Sequence, residues 1–227
     1  EFATKRGEEI GYDNVFDYSL GNPSVPVPEE FTECMIEMLK NSDPCSLHGY
    51  SPSLGIPSVR AAIAASLNER FGMNYGPEHI FMASGAAGAL AHAYRAVTKP
   101  GDEILTFAPY FPEYNPYLNL TGAVLKVVPP DTESFQINFD AFEEMLGEKV
   151  MAVLINTPNN PSGIVYSEET ILRLADILRK KEQEYGHDIF IISDEPYREI
   201  VFAGVKAPYV SRYYANTISC YSYSKSL

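Results

Sequence analysis

The sequence predicts an α/β fold built on a mostly parallel sheet with helices on both faces. Two features of the 227-residue chain carry that expectation. Runs such as Met151-Ala152-Val153-Leu154-Ile155 and Ile189-Phe190-Ile191-Ile192 are apolar at every position, so both faces of those strands must be covered. Between such runs lie segments with the 3.6-residue apolar period of helices that pack on a sheet. With 45% apolar residues, the chain can also bury one sizeable core.

Taken in order, residues 1–28 read as an extended arm. The arm ends in the loop Gly21-Asn22-Pro23-Ser24-Val25-Pro26-Val27-Pro28, where proline fixes φ and removes donors. A helix is predicted from Pro28 to about Lys40, with Phe31, Met35, Met38 and Leu39 on one side and acidic residues at its start. After a turn-rich stretch over 43–53, Val59, Ile63, Leu67 and Phe71 mark a helix over 56–71. A short strand follows at 79–83, and Gly85-Ala86-Ala87-Gly88 opens a helix to about 98. Further strands are predicted at 103–107, 123–128, 150–155, 189–193 and 217–221, which makes six. The clearest helix runs from Ser167 to Tyr185, with Ser167 as its cap and Ile171, Leu174, Ile177 and Leu178 as its stripe. Right-handed crossovers then bring the turns after the strands' carboxyl ends to one edge, where open α/β sheets bind ligands.

Charge and cysteine usage narrow the partners. The net charge is −13 and the sequence pI near 4.7. Without a basic run, such a chain is poorly suited to nucleic acid or an anionic membrane, which leaves small molecules or proteins. No apolar stretch approaches the length of a membrane span, and Glu1 to Arg6 do not form a signal peptide. Cys34, Cys45 and Cys220 are an odd, scattered set without CxxC spacing. They argue against a disulfide framework or a zinc site and fit a reducing cytoplasm.

Four short motifs stand in order near predicted strand ends. Gly85-Ala86-Ala87-Gly88 lies between strand and helix, where free amides and the helix dipole favour a phosphate. A tight turn of small residues is the plainer account. Asn159-Asn160-Pro161-Ser162-Gly163 follows a strand; these are ordinary turn formers, and Asn160 also has an amide to offer a ligand. Asp194 follows the apolar strand 189–192 and either terminates it or is a partly buried carboxylate that needs a cationic partner. Tyr197, three residues on, is placed to reach the same ligand. Asp194 and Glu195 are adjacent, so they point to opposite faces and do not form a carboxylate pair for hydrolysis. Lys225 is either a solvated charge or a nucleophilic amine flanked by the hydroxyls of Ser222 and Ser224.

Taken together, these motifs resemble the fold-type I, class I/II aminotransferases (the aspartate aminotransferase superfamily), which use pyridoxal 5'-phosphate. The resemblance runs over nearly the whole chain. It implies an N-terminal arm and part of a small domain in residues 1–45, and an incomplete large cofactor-binding domain in 46–227. It implies that Lys225 is the Schiff-base lysine and then the base that moves the α-proton. Asp194 keeps the pyridine nitrogen protonated, Tyr197 and Asn160 hydrogen-bond the ring 3-oxygen, and Phe111 stacks on the ring. The phosphate rests on the amides of Gly85, Ala86 and Ala87 and on Ser222, with Ser224 beside the lysine. Tyr50 resembles the tyrosine that reaches a neighbouring subunit's phosphate, which implies a homodimer. Gly21, with Asn160, resembles the substrate side of the site; a structural turn is the other reading for Tyr50 and Gly21.

The implied activity is transfer of an amino group between an α-amino acid and an α-keto acid. A lyase of the same fold (C–S lyase or cyclising type) and a non-catalytic module that binds pyridoxal phosphate or amino acids are the alternatives. The family's phosphate-binding and carboxylate-binding arginines fall beyond Leu227, as does most of the small domain. The expectation is therefore a truncated version of a longer enzyme, with an unfinished sheet.

Overall fold

The computed structural model describes residues 1–16 and 25–226, which divide into two compact units at Leu47/His48. In the first unit, Phe2–Ile10 forms helix α1. The pairs Lys5–Glu1 and Arg6–Glu9, at 3.2 and 2.8 Å, link successive turns of it. Gly7 lies against the ring of Tyr12, where a Cβ would collide. The extended arm expected over residues 1–28 is therefore corrected for α1: charge pairs and a ring seated on glycine stand in for the apolar stripe that the segment lacks. The Gly21-Asn22-Pro23-Ser24 part of the expected loop lies outside the described residues. Helix α2, Glu29–Asn41, forms as predicted, with Glu29 and Glu30 in its first turn and Lys40 in its last, matching the helix dipole. Within the stretch read as turns, the Asp43 carboxylate accepts from the Ser46 amide at 2.7 Å and starts a short helix α3, Pro44–His48.

The second unit carries the sheet. Helix α4 spans Pro57–Phe71 and stops at Gly72, whose φ of 66° is the left-handed C-cap that glycine adopts without strain. Then follow α5 (Gly85–Val97), β1 (Glu103–Phe107), α6 (Tyr114–Asn119), β2 (Val124–Val128), α7 (Phe139–Met145), β3 (Val150–Asn156), α8 (Glu168–Tyr185), β4 (Phe190–Asp194) and β5 (Thr217–Cys220). The five strands run in the order β2-β1-β3-β4-β5, and every pairing is parallel.

The predicted strand at 79–83 is not one of them. Pro77–His79 is a single 3₁₀ turn, and among the described residues no strand lies alongside Ile80–Ala83. Apolar sequence alone does not make a strand, because a ladder needs a hydrogen-bonded neighbour. Here the Met82 amide bonds to the Leu54 carbonyl at 3.2 Å instead.

Alternation along the strands builds a core on each face. Leu105, Phe107, Val153, Ile155 and Ile191 meet α7 and α8 through Phe142, Ile171, Leu174 and Leu178. The intervening Ile104, Ala152, Leu154 and Ile192 meet α5 and α6 through Leu90, Tyr94, Tyr114 and Leu118. The Ser167 hydroxyl accepts from the Thr170 amide at 3.0 Å and caps α8 as its sequence predicts. No helix among the described residues is long and apolar enough to cross a membrane.

Candidate functional site

The period-2 rule decides where the polar residues at the strand ends go. Asn156 and Asp194 continue the α5/α6 face beyond Leu154 and Ile192, and the two are register partners at the carboxyl ends of β3 and β4. Asp194 is 5% exposed. The Tyr114 hydroxyl, on the buried side of α6, donates to Asp194 Oδ2 at 2.6 Å. Asn156 Nδ2 donates to the Asp194 carbonyl at 2.8 Å and, more distantly, to Oδ2 at 3.4 Å. Asp194 Oδ1 is buried with no partner among the described residues, and so is the Tyr94 hydroxyl on the same face. Burial pushes the Asp194 carboxyl up to about 6; the Tyr114 hydrogen bond opposes that rise and the neighbouring Glu195 adds to it. The Tyr114 phenol is likewise pushed up, first by burial and then by the Asp194 charge.

The turn after β3 is tied to this carboxylate. Asn156 Oδ1 accepts from the Asn160 amide at 2.6 Å, so the residue that supports Asp194 also holds the backbone of Asn160. Asn159 shapes the rest of the turn by accepting from the amide and hydroxyl of Ser162 at 3.0 and 2.7 Å. Asn160 itself is half-buried. Phe111, also half-buried, meets the Tyr114 ring edge-on at 5.7 Å between centroids. Tyr197 lies near enough to Tyr114 to affect its ionisation.

Beyond β5, Cys220 is the register partner of Asp194, and its carbonyl accepts from the Glu195 amide at 2.8 Å. Lys225 ends the 3₁₀ turn Tyr223–Lys225 and is half-buried. Before it, Ser222 is buried, with its hydroxyl 2.9 Å from that of Ser224 and accepting from the Ser224 amide at 3.3 Å. Gly85, at φ 69°, opens α5, and Ala86 and Ala87 follow in its first turn, where amides have no intrahelical acceptor. Helix α5 packs on β4 and β5, the two strands that lead to Asp194 and Lys225.

Phe111 and the Asn160 backbone thus connect to the buried Asp194 carboxylate through Tyr114 and Asn156, Tyr197 follows it three residues on, and Ser222, Ser224 and Lys225 lie on the turn after the adjoining strand. Tyr50 is fully exposed and lies outside that cluster. Gly21 lies outside the described residues. Tyr114 and Asn156 are the site residues that sequence reasoning missed. Tyr114 stands in a segment crowded with aromatics at 107–117 and carries no spacing signal; Asn156 was legible only as the polar end of an apolar strand.

The family described as "Aminotransferase class I and II" matches residues 13–227. An aspartate aminotransferase of Thermotoga maritima is 33% identical over 199 residues, 87% of this chain and 49% of that protein. A crystal structure of an amino transferase from Eubacterium rectale superposes with a TM-score of 0.96 at 50% identity, covering 99% of this chain and 56% of the other. Escherichia coli YbdL, for which a methionine aminotransferase function is described, superposes at 0.86 with 25% identity over 99% of this chain and 57% of its own. The chain spans about half the length of the curated relatives it matches. A family match over residues 13–227, on an all-parallel sheet, identifies the chain as a member of the class I and II aminotransferase family.

Proposed function

We propose that the chain carries the cofactor-holding part of a pyridoxal-phosphate-dependent aminotransferase that moves an amino group between an α-amino acid and an α-keto acid. Members of this family use pyridoxal phosphate. One observation carries the reading for this chain: Asp194 Oδ1 is a buried carboxylate oxygen with no partner among the described residues, while Tyr114 occupies Oδ2. A buried anion without a partner is costly, and a protonated ring nitrogen is the partner that such an oxygen accepts from. When bound, the cofactor supplies a pyridinium ring that takes up electron density from the substrate α-carbon.

The chain's own residues then divide the work. Asp194 Oδ1 holds the ring-nitrogen proton, and Tyr114 and Asn156 fix the carboxylate that does so. Lys225 Nζ is the amine that holds the aldehyde carbon and later moves the α-proton. The Tyr197 hydroxyl and the Asn160 amide hold the ring 3-oxygen, and Phe111 covers a ring face. The amides of Gly85, Ala86 and Ala87, at the positive end of the α5 dipole, take the phosphate together with the Ser222 hydroxyl, and Ser224 orders that turn. Asn160 stands on the substrate side, and Gly21, which lies outside the described residues, is assigned there by the family resemblance alone.

Residues 46–227 form the large domain in this reading, and residues 1–45 an arm with part of a small domain. The exposed Tyr50 reaches the phosphate site of a second copy, which makes the working unit a homodimer. Free Cys34, Cys45 and Cys220 fit a reducing, cytoplasmic setting.

The test is visible absorbance of the pyridoxal-phosphate-loaded protein while L-aspartate, L-glutamate, L-methionine and aromatic amino acids are added singly. The expected result is bleaching by at least one donor and recovery on adding an α-keto acid. A band that persists while the amino acid is consumed to an α-keto acid and ammonia marks a lyase, because elimination returns the cofactor in its aldehyde form. Lys225→Ala is expected to remove the visible band and all turnover; a variant that keeps both refutes the assignment of that lysine.

A further inference from the structure

Glu195 is 1% exposed, and its side chain belongs to the opposite side of β4 from Asp194. Arg198 Nη1 donates to Glu195 Oε2 at 2.7 Å, and the two side chains are 5% and 1% exposed. Ser219 of β5 donates to Glu195 Oε1 at 3.1 Å. The Arg198 guanidinium lies over the ring of Tyr221, 4.4 Å from its centroid, with Phe71 of α4 at 5.1 Å. The Tyr221 hydroxyl is 2.9 Å from Ser226 Oγ, so the residues on either side of the Lys225 turn are linked to each other.

Taking two charges out of water costs about as much as their attraction returns, so fold stability does not account for this pair. Its location does. Glu195 follows Asp194 directly, the Arg198 amide bonds to the Glu195 carbonyl at 3.2 Å, and Tyr197 sits between them. On the other side, the guanidinium rests on Tyr221, where the chain leaves β5 for Lys225.

We propose that Glu195 and Arg198 form a positioning pair that sets the Lys225 turn against the turn that carries Asp194 and Tyr197. The proposal rests on the reading of Lys225 and Asp194 as the groups that hold the cofactor. Arginine is suited to the task because its planar fork binds a carboxylate and stacks on an aromatic ring at once, which an ammonium does not do.

The experiment is a pH titration of the visible band of the pyridoxal-phosphate-loaded protein, with cofactor release and urea denaturation measured alongside. It compares the parent, Arg198→Lys and the double variant Glu195→Gln/Arg198→Met, which removes both charges. The double variant is expected to keep the parent's urea midpoint. Its band should nevertheless titrate about one pH unit away, with cofactor release about tenfold faster. Arg198→Lys keeps the ion pair, loses the stacking, and should shift in the same direction by less. Parent-like titration and release in both variants overturn the proposal, and Arg198→Lys decides by the same criterion if the double variant does not fold. Absence of the band from the parent itself refutes the underlying cofactor reading, and the proposal with it.

Discussion

Asp194 shows how one side chain trades stability for chemistry. Its folded-state pKa is raised from 3.8 to about 6, chiefly by burial. A raised carboxyl pKa means that the folded protein holds the proton more tightly than the unfolded chain. The resulting stability is complete below pH 3.8 and is lost as pH rises through 6, by roughly 3 kcal/mol across the window. Urea denaturation of the cofactor-free protein at pH 4 and pH 7 is expected to show that component in the parent and not in Asp194→Asn. The same variant should lose about 10²–10³-fold in turnover, the scale of removing one pre-placed electrostatic group from an active site. Tyr114→Phe removes the 2.6 Å donor to Oδ2 that holds the carboxyl pKa down. Its Asp194 inflection should move to higher pH, and its affinity for pyridoxal phosphate should fall about tenfold or more, as for a hydrogen bond to a charged group. Fluorescence titration with the cofactor reads the second effect.

At the scale of elements, local chemistry and tertiary packing divide the control of this chain. Helix α8 is specified locally: a hydroxyl cap, a buried stripe and Gly186 at φ 73° all agree. Ser167→Ala removes the cap bond to Thr170 and should cost about 1 kcal/mol in urea denaturation. The cofactor-binding band should be untouched, because α8 covers the sheet face opposite Asp194. The extended segment Ile80–Ala83 is the contrary case, since a strand depends on a neighbour that its own sequence does not supply. Helix α1 was hidden for another reason: its support is two surface ion pairs and an aromatic ring on a glycine, none of which gives an apolar period.

For the sheet-bearing unit as a whole, His48–Ser226, the sheet separates a structural core from the candidate site. Phe142 is fully buried against Phe107 and Phe139 on the α7/α8 face, with ring centroids 5.5 and 6.5 Å away. Phe142→Ala should destabilise this unit by about 3–5 kcal/mol, the cost of a large cavity in a close-packed core. The folded fraction should keep the parent's Asp194 titration. Calorimetry with a pH series checks both. A changed titration would mean that the two faces are coupled through the sheet rather than insulated by it.

The parallel sheet, its strand-end motifs and the helices that cover it were legible because burial on both faces forces apolar runs, and because turns and caps use few residue types. Asp194, Tyr197, Asn160, Ser222 and Lys225 stood out as motif residues near strand ends, while Phe111 and the roles of all six came from the resemblance to a family. Tertiary structure alone decided which groups touch the buried carboxylate. Tyr114 comes to Asp194 from 80 residues earlier in the chain, and Asn156 from 38. It also decided that one oxygen of that carboxylate remains open among the described residues, and that Glu195, one residue on, is buried on the other face with Arg198. Such pairings depend on strand order, register and the facing of α6 on the sheet. No local sequence pattern encodes contacts made between elements so far apart in the chain.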